Sequence, residues 1–106
     1  MERKFMINVL ASISVKPGKR AEFIELFKAN VPNVLAEDGC IEYAPTVDIT
    51  PGLPRQIVDE NVVTAIEKWE SLEALQAHME APHMLTFREQ VGDIIEGVAI
   101  KVLEAA

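Results

Sequence analysis

His78 and His83 are the only imidazoles in the chain, five residues apart with Pro82 between them. Imidazole titrates near neutral pH, so each is a candidate general base. They are poorly spaced as metal ligands, because two histidines on one helical face want i, i+4 spacing. The lone cysteine, Cys40, is distant in sequence, so no metal is expected. Glu67 and Trp69 alternate on a strand-like run and share a face, where a carboxylate and a flat indole wall can border one pocket. Tyr43 supplies a phenol, and Glu42 and Glu70 supply further carboxylates. Each has a plain alternative: a tryptophan at a strand end usually packs, and polar strand residues are usually solvated. The chain has no glycine-rich phosphate loop, nucleophile elbow or dinucleotide fingerprint. An enzyme built from these residues has to use its substrate's own reactivity, without a cofactor.

The elements that must position these groups can be read from periodicity. Phe5, Ile7, Val9, Ala11, Ile13 and Val15 alternate with Met6, Asn8, Leu10, Ser12 and Ser14, which predicts a strand ended by Pro17-Gly18. From Lys19 to about Glu37 the period becomes helical through Phe23, Ile24, Phe27, Val31, Val34 and Leu35. Pro32 inside this run predicts a kink, or a restart capped by Asn30. Gly39 suits the left-handed residue after the helix. Residues 40–50 predict a second strand whose Pro45 places it at a sheet edge, and 51–61 a substantial loop. Val62 to Trp69 is a third strand. Ser71 should cap a short helix with Leu72, Leu75 and Met79 on its apolar stripe. Taking 100° per residue, His78 lies roughly 90° from the centre of that stripe, at its rim. Pro82 should open another helix, with Met84, Phe87, Val91 and Ile94 or Ile95 inward; Val98 to Leu103 is the last strand.

The order β-α-β-β-α-β, with its second helix broken in two, predicts an α+β fold. Its four-stranded antiparallel sheet carries helices on one face in the ferredoxin-like arrangement, with the second and fourth strands at the edges. Met6 and Leu10 then fall on the uncovered face, and a symmetric dimer packed sheet to sheet would cover them.

At 106 residues the chain suits one domain, 1–106, large enough for a core without disulfides. Seventeen acidic residues against ten Lys+Arg give a formal charge of −7, which disfavours nucleic acid and anionic membranes as partners. No run reaches the ~18 apolar residues of a spanning helix, so membrane insertion is not expected. The start Met1-Glu2-Arg3-Lys4 superficially resembles a leader, but Asn8, Ser12 and Ser14 interrupt the apolar stretch and no small-residue cleavage site follows. The expected location is cytoplasmic.

Four segments in register carry a resemblance. They are Val15-Lys16-Pro17-Gly18-Lys19, Glu37-Asp38-Gly39-Cys40-Ile41-Glu42-Tyr43, Ile66-Glu67-Lys68-Trp69-Glu70-Ser71 and His78-Met79-Glu80-Ala81-Pro82-His83-Met84. Over nearly its whole length the chain resembles the antibiotic biosynthesis monooxygenase family of dimeric ferredoxin-like α+β barrels. The run from Val31 to Leu35 and on through Tyr43 to Asp48 is similar to the bacterial quinol monooxygenase branch. The resemblance implies a cofactor-independent oxygenase acting on a quinol or similar aromatic or polyketide substrate. It places the pocket between the sheet and the short helices. His78 would be the base and Tyr43 a donor, with Trp69, His83, Phe87 and Glu67 around the substrate. Haem-degrading members resemble this layout but use Asn, Trp and His where this chain shows Ala11, His78 and about Arg88, which argues against that activity. An isomerase or other enolate-type enzyme, and a non-catalytic ligand-binding dimer, stay open as alternatives.

Overall fold

The computed structural model describes residues 6–106. Phe5, the first apolar position of the expected strand, lies outside them. β1 (Ile7–Val15) buries Val9, Ala11, Ile13 and Val15 on one face, as its alternation predicts. It pairs antiparallel with β3 (Val62–Trp69) on one side and with β4 (Ile95–Leu103) on the other. β2 (Cys40–Thr46) pairs antiparallel with β3, so the sheet order is β2-β3-β1-β4. The edges are the second and fourth strands, and Pro45 sits on one of them. Three helices cover one face: α1 (Arg20–Leu35), α2 (Leu72–Met79) and α3 (Pro82–Val91). Phe23, Phe27 and Val34 from α1, Leu75 from α2, and Met84, Phe87 and Val91 from α3 meet the inward residues of β1 and β3 in one core. This is the ferredoxin-like α+β architecture. Leu10, on the other face of β1, is 39% exposed.

Several boundaries differ from expectation, for physical reasons. α1 runs through Pro32 as one helix, and Asn30 does not cap a restart. Phe27 and Val34 are buried on either side of the proline, so packing holds both halves in one helix despite the missing donor. Asn30 is itself buried; its amide donates to Met84 Sδ at 3.4 Å and its carbonyl accepts from Asn33 at 3.0 Å, which ties α1 to α3. β2 ends at Thr46, so Val47 and Ile49 fall in the long loop, where both are exposed. Ile94 and Ile95 do not lie on α3: the helix ends at Val91 and β4 begins at Ile95, three residues early.

Two local features fix α2. The Ser71 hydroxyl accepts from the Ala74 N–H at 3.1 Å, the cap its sequence predicts. Gly39 has φ +84°, and a Cβ there would stand 2.6 Å from the Ala74 Cβ. The α1–β2 turn and α2 can therefore meet this closely because residue 39 has no side chain. Among the described residues, no helix is long and apolar enough to cross a membrane.

Candidate active site

Between the helices and the sheet lies a cavity of about 190 Å³. Its apolar wall is built by Phe23 and Phe27 of α1, Met84, Phe87 and Val91 of α3, and Ala11, Ile13 and Ala65 of the sheet. The rings interlock: Phe27 stacks on Tyr43 at 4.9 Å and meets Phe87 edge-on at 6.0 Å. Val98 and Ile100 of β4 also border it, and both are about half exposed, so this side is the open one. Four polar side chains reach the cavity: Tyr43, Glu67, His78 and Arg88.

His78 is 4% exposed. The expectation that it sits at the rim of its helix therefore needs correcting. Leu72 and Met79 are each nearly half exposed, and the face that α2 buries runs through Leu75 and His78, an i, i+3 pair. The imidazole packs on Trp69 (4.6 Å between ring centres) and edge-on to Tyr43 (5.4 Å). Its Nδ1 lies 2.9 Å from Oε2 of Glu37, in the turn after α1. Since an ionised carboxylate can only accept, the proton sits on Nδ1 and the lone pair on Nε2. Among the described residues no group hydrogen-bonds to Nε2. Burial lowers the His78 pKa below the ordinary imidazole value, and the hydrogen bond to Glu37 opposes that shift. The neutral, proton-accepting form is thus the resting state at neutral pH.

His83, expected in the pocket wall, does not line the cavity. It sits on α3 behind Glu37, with Nε2 also 2.9 Å from Glu37 Oε2. That contact is close but misaligned for a hydrogen bond, and both ring nitrogens are shut from solvent without a hydrogen-bond partner. On its outer side His83 borders a shallow hollow between α1 and α3, with Asn30 and Asn33. Trp69 needs a similar correction. It is fully buried outside the cavity wall, and its indole N–H donates to Glu67 Oε1 at 3.0 Å. The shared face read from the Glu67–Trp69 spacing is real, but only the carboxylate reaches the cavity. Phe87, Glu67 and Tyr43 do border it.

Burial raises the Glu67 pKa; the Trp69 hydrogen bond opposes this and the Glu37 charge adds to it. Burial, followed by the charge of Glu67, also pushes Tyr43 well above an ordinary phenol. Tyr43 can therefore donate a hydrogen bond but cannot serve as a base near neutrality. Cys40 is likewise pushed up to about 11, chiefly by burial, so it is not a reactive thiolate. Arg88 is the one cation lining the cavity among the described residues, and its Nη2 donates to the Met79 carbonyl at 2.8 Å. Among those residues no three or more His, Cys, Asp or Glu are grouped to hold a metal ion.

Sequence reasoning missed Glu37 and Arg88. One signal pointed to Glu37: a carboxylate just past a helix C-terminus faces the negative end of the helix dipole. The α1–β2 turn holds it there. The Cys40 N–H closes onto the Glu37 carbonyl at 3.3 Å, with Gly39 in the left-handed conformation.

The pattern of the antibiotic biosynthesis monooxygenase family matches residues 6–90, and the chain belongs to this family of enzymes. A relative from Escherichia coli, named probable quinol monooxygenase YgiN, is 39% identical over 102 residues, spanning 93% of this chain and 97% of its own. The structure of Rv0793 from Mycobacterium tuberculosis is similar with a TM-score of 0.76 at 28% identity, over 95% of both chains. The crystal structure of PA3566 from Pseudomonas aeruginosa, at 24% identity, shares the fold with a TM-score of 0.82 over 100% of this chain and 99% of that one.

Proposed function

We propose that the chain is a cofactor-independent monooxygenase that oxidises a small quinol with O2. The observation that carries this reading is the position of His78 on the wall of an aromatic cavity, neutral and with its Nε2 lone pair unused by any of the described residues. An engineered cavity of about 150 Å³ accepts benzene, so about 190 Å³ suits a one-ring quinol, with a larger ring system emerging past Val98 and Ile100. His78 takes a proton from one quinol hydroxyl. The resulting anion is electron-rich enough to pass an electron to O2 without flavin or metal. One oxygen atom then enters the ring, the other leaves as water, and the ring supplies the electrons and both hydrogens of that water. Protonated Tyr43 and the Arg88 guanidinium are the donors for the developing oxyanion. Phe27 and Phe87 hold the ring, and Glu67 faces the second oxygen. The resemblance to YgiN supports the substrate class.

Oxygen uptake with a panel of one- and two-ring quinols, measured on metal-stripped protein, tests this. Turnover that survives chelation supports the reading, and none on any quinol sinks it. The same reading takes the protein to be a cytoplasmic homodimer. Met6, Leu10 and Leu103 lie exposed, and so do Ile49, Leu53 and Ile57 of the long loop, which in the dimer reaches the partner. Sedimentation should show twice the chain mass at micromolar concentration; a stable monomer removes the dimer.

A further inference from the structure

Glu37 does not line the cavity, yet two histidines converge on one of its oxygens. The three side chains come from three places, the α1–β2 turn, α2 and α3, and all are largely withdrawn from water. A largely withdrawn carboxylate within 2.9 Å of two imidazoles is costly to assemble for packing alone, because each polar group must be desolvated. Its geometry has a definite chemical effect on one neighbour. By accepting from Nδ1 it selects the tautomer of His78 whose free lone pair is on Nε2.

We propose that Glu37 is a positioning residue: it holds His78 with the Nε2 lone pair free towards the cavity and couples that lone pair to the charge state of His83. The inference rests on reading the cavity as the active site. When His83 is neutral, the Glu37 charge is available to His78 and favours an imidazolium there. When His83 is protonated, it neutralises the carboxylate and repels a second positive charge on His78. The other groups facing His78 are Arg88 on α3, which disfavours its protonation, and Tyr43 and Glu67 on the sheet.

The test is a histidine-selective ¹⁵N NMR titration of the full chain, with Glu37→Gln and His83→Gln alongside and turnover followed in parallel. In the unsubstituted protein, neutral His78 should carry its proton on Nδ1. Glu37→Gln can still accept from Nδ1 but has no charge, so the His78 midpoint should move to lower pH. His83→Gln removes a like charge, so the midpoint should move to higher pH. Opposite shifts from two neighbours are not what a packing role produces. The acid limb of turnover should follow each shift, and Glu37→Ala, which frees the ring, should lower kcat by about 10²-fold. A His78 proton on Nε2 overturns the proposal. So does a midpoint that neither glutamine variant moves, or that both move the same way. Because the titration needs no substrate, opposite shifts in a protein that oxidises no quinol would uphold the coupling and reject only the oxygenase reading.

Discussion

The two sides of the cavity are built on opposite plans. On one side, Phe23, Phe27, Met84 and Phe87 fill space with apolar surface and ring contacts, and any of them could be exchanged for a residue of similar volume. On the other, His78 and Glu67 line the cavity and are backed by Glu37, His83 and Trp69 through polar contacts near 3 Å, and few exchanges would preserve them. The apolar side stabilises the fold by burial and tolerates change in kind. The polar side costs desolvation and contributes specific contacts instead. Substitutions on the two sides should therefore separate activity from stability.

The largest separation is expected at His78. His78→Gln, which keeps most of the buried volume, should lower quinol turnover by about 10²–10⁴-fold, the usual scale for losing a general base. Its far-UV dichroism should be unchanged. Full turnover with an unshifted pH profile would move the base elsewhere. Phe27→Ala should act chiefly on stability and on substrate fit, not on the proton transfer. Removing a buried ring costs about 3–5 kcal/mol, read as a lower urea midpoint, while any protein still folded should keep the pH profile of turnover. A change in that profile would show that the two sides are not independent.

A smaller effect distinguishes them by pH. The His78 pKa is lowered in the folded chain, so below the ordinary imidazole value of ~6.5 the unfolded state binds more protons than the native state. Its effect on stability is absent above ~6.5 and becomes a penalty as pH falls. Replacing His78 with Gln should flatten the fall in urea midpoint between about pH 6.5 and 5, whereas Phe27→Ala should shift the whole curve without changing its slope. The smallest effect is expected at Glu67. Its raised pKa means that ionisation works against the fold as pH rises above the ordinary carboxylate value. Glu67→Gln keeps an acceptor for the Trp69 indole and should raise Tm at neutral pH, seen in a thermal melt.

The apolar side was far more legible in the sequence than the polar one. β1 and β3 alternate cleanly, and Phe23, Phe27, Phe87 and Val91 recur at helical spacing, so the fold and most of that wall follow from period alone. Pro32 misled because its local cost is overridden by packing on both sides. His78 was found by residue type, but its burial was misjudged: α2 has only eight residues, and a stripe averaged over Leu72, Leu75 and Met79 points away from the face the sheet selects. Glu37 and His78 are 41 residues apart, and no spacing rule links them. The contact depends on the Gly39 turn bringing two helices' ends together. Trp69 and His83 were placed one layer too close to the cavity, because residue type alone does not say which of two stacked groups faces it.

Gly39 has a further consequence. With only a hydrogen where a side chain would be, the turn carrying Glu37 lies against the Ala74 methyl of the helix carrying His78, where a Cβ on residue 39 would stand 2.6 Å from the Ala74 Cβ. The Glu37–His78 pair is thus set by a close joint that Phe23, Phe27 and Phe87 do not form. If the cavity holds an aromatic ring as proposed, volume-conserving exchanges in its apolar wall would alter the fit without touching the Glu37–His78 pair. On the proposed reading, substrate fit and acid–base chemistry rest on separate parts of the molecule, and a residue with no side chain sits at the joint of the second.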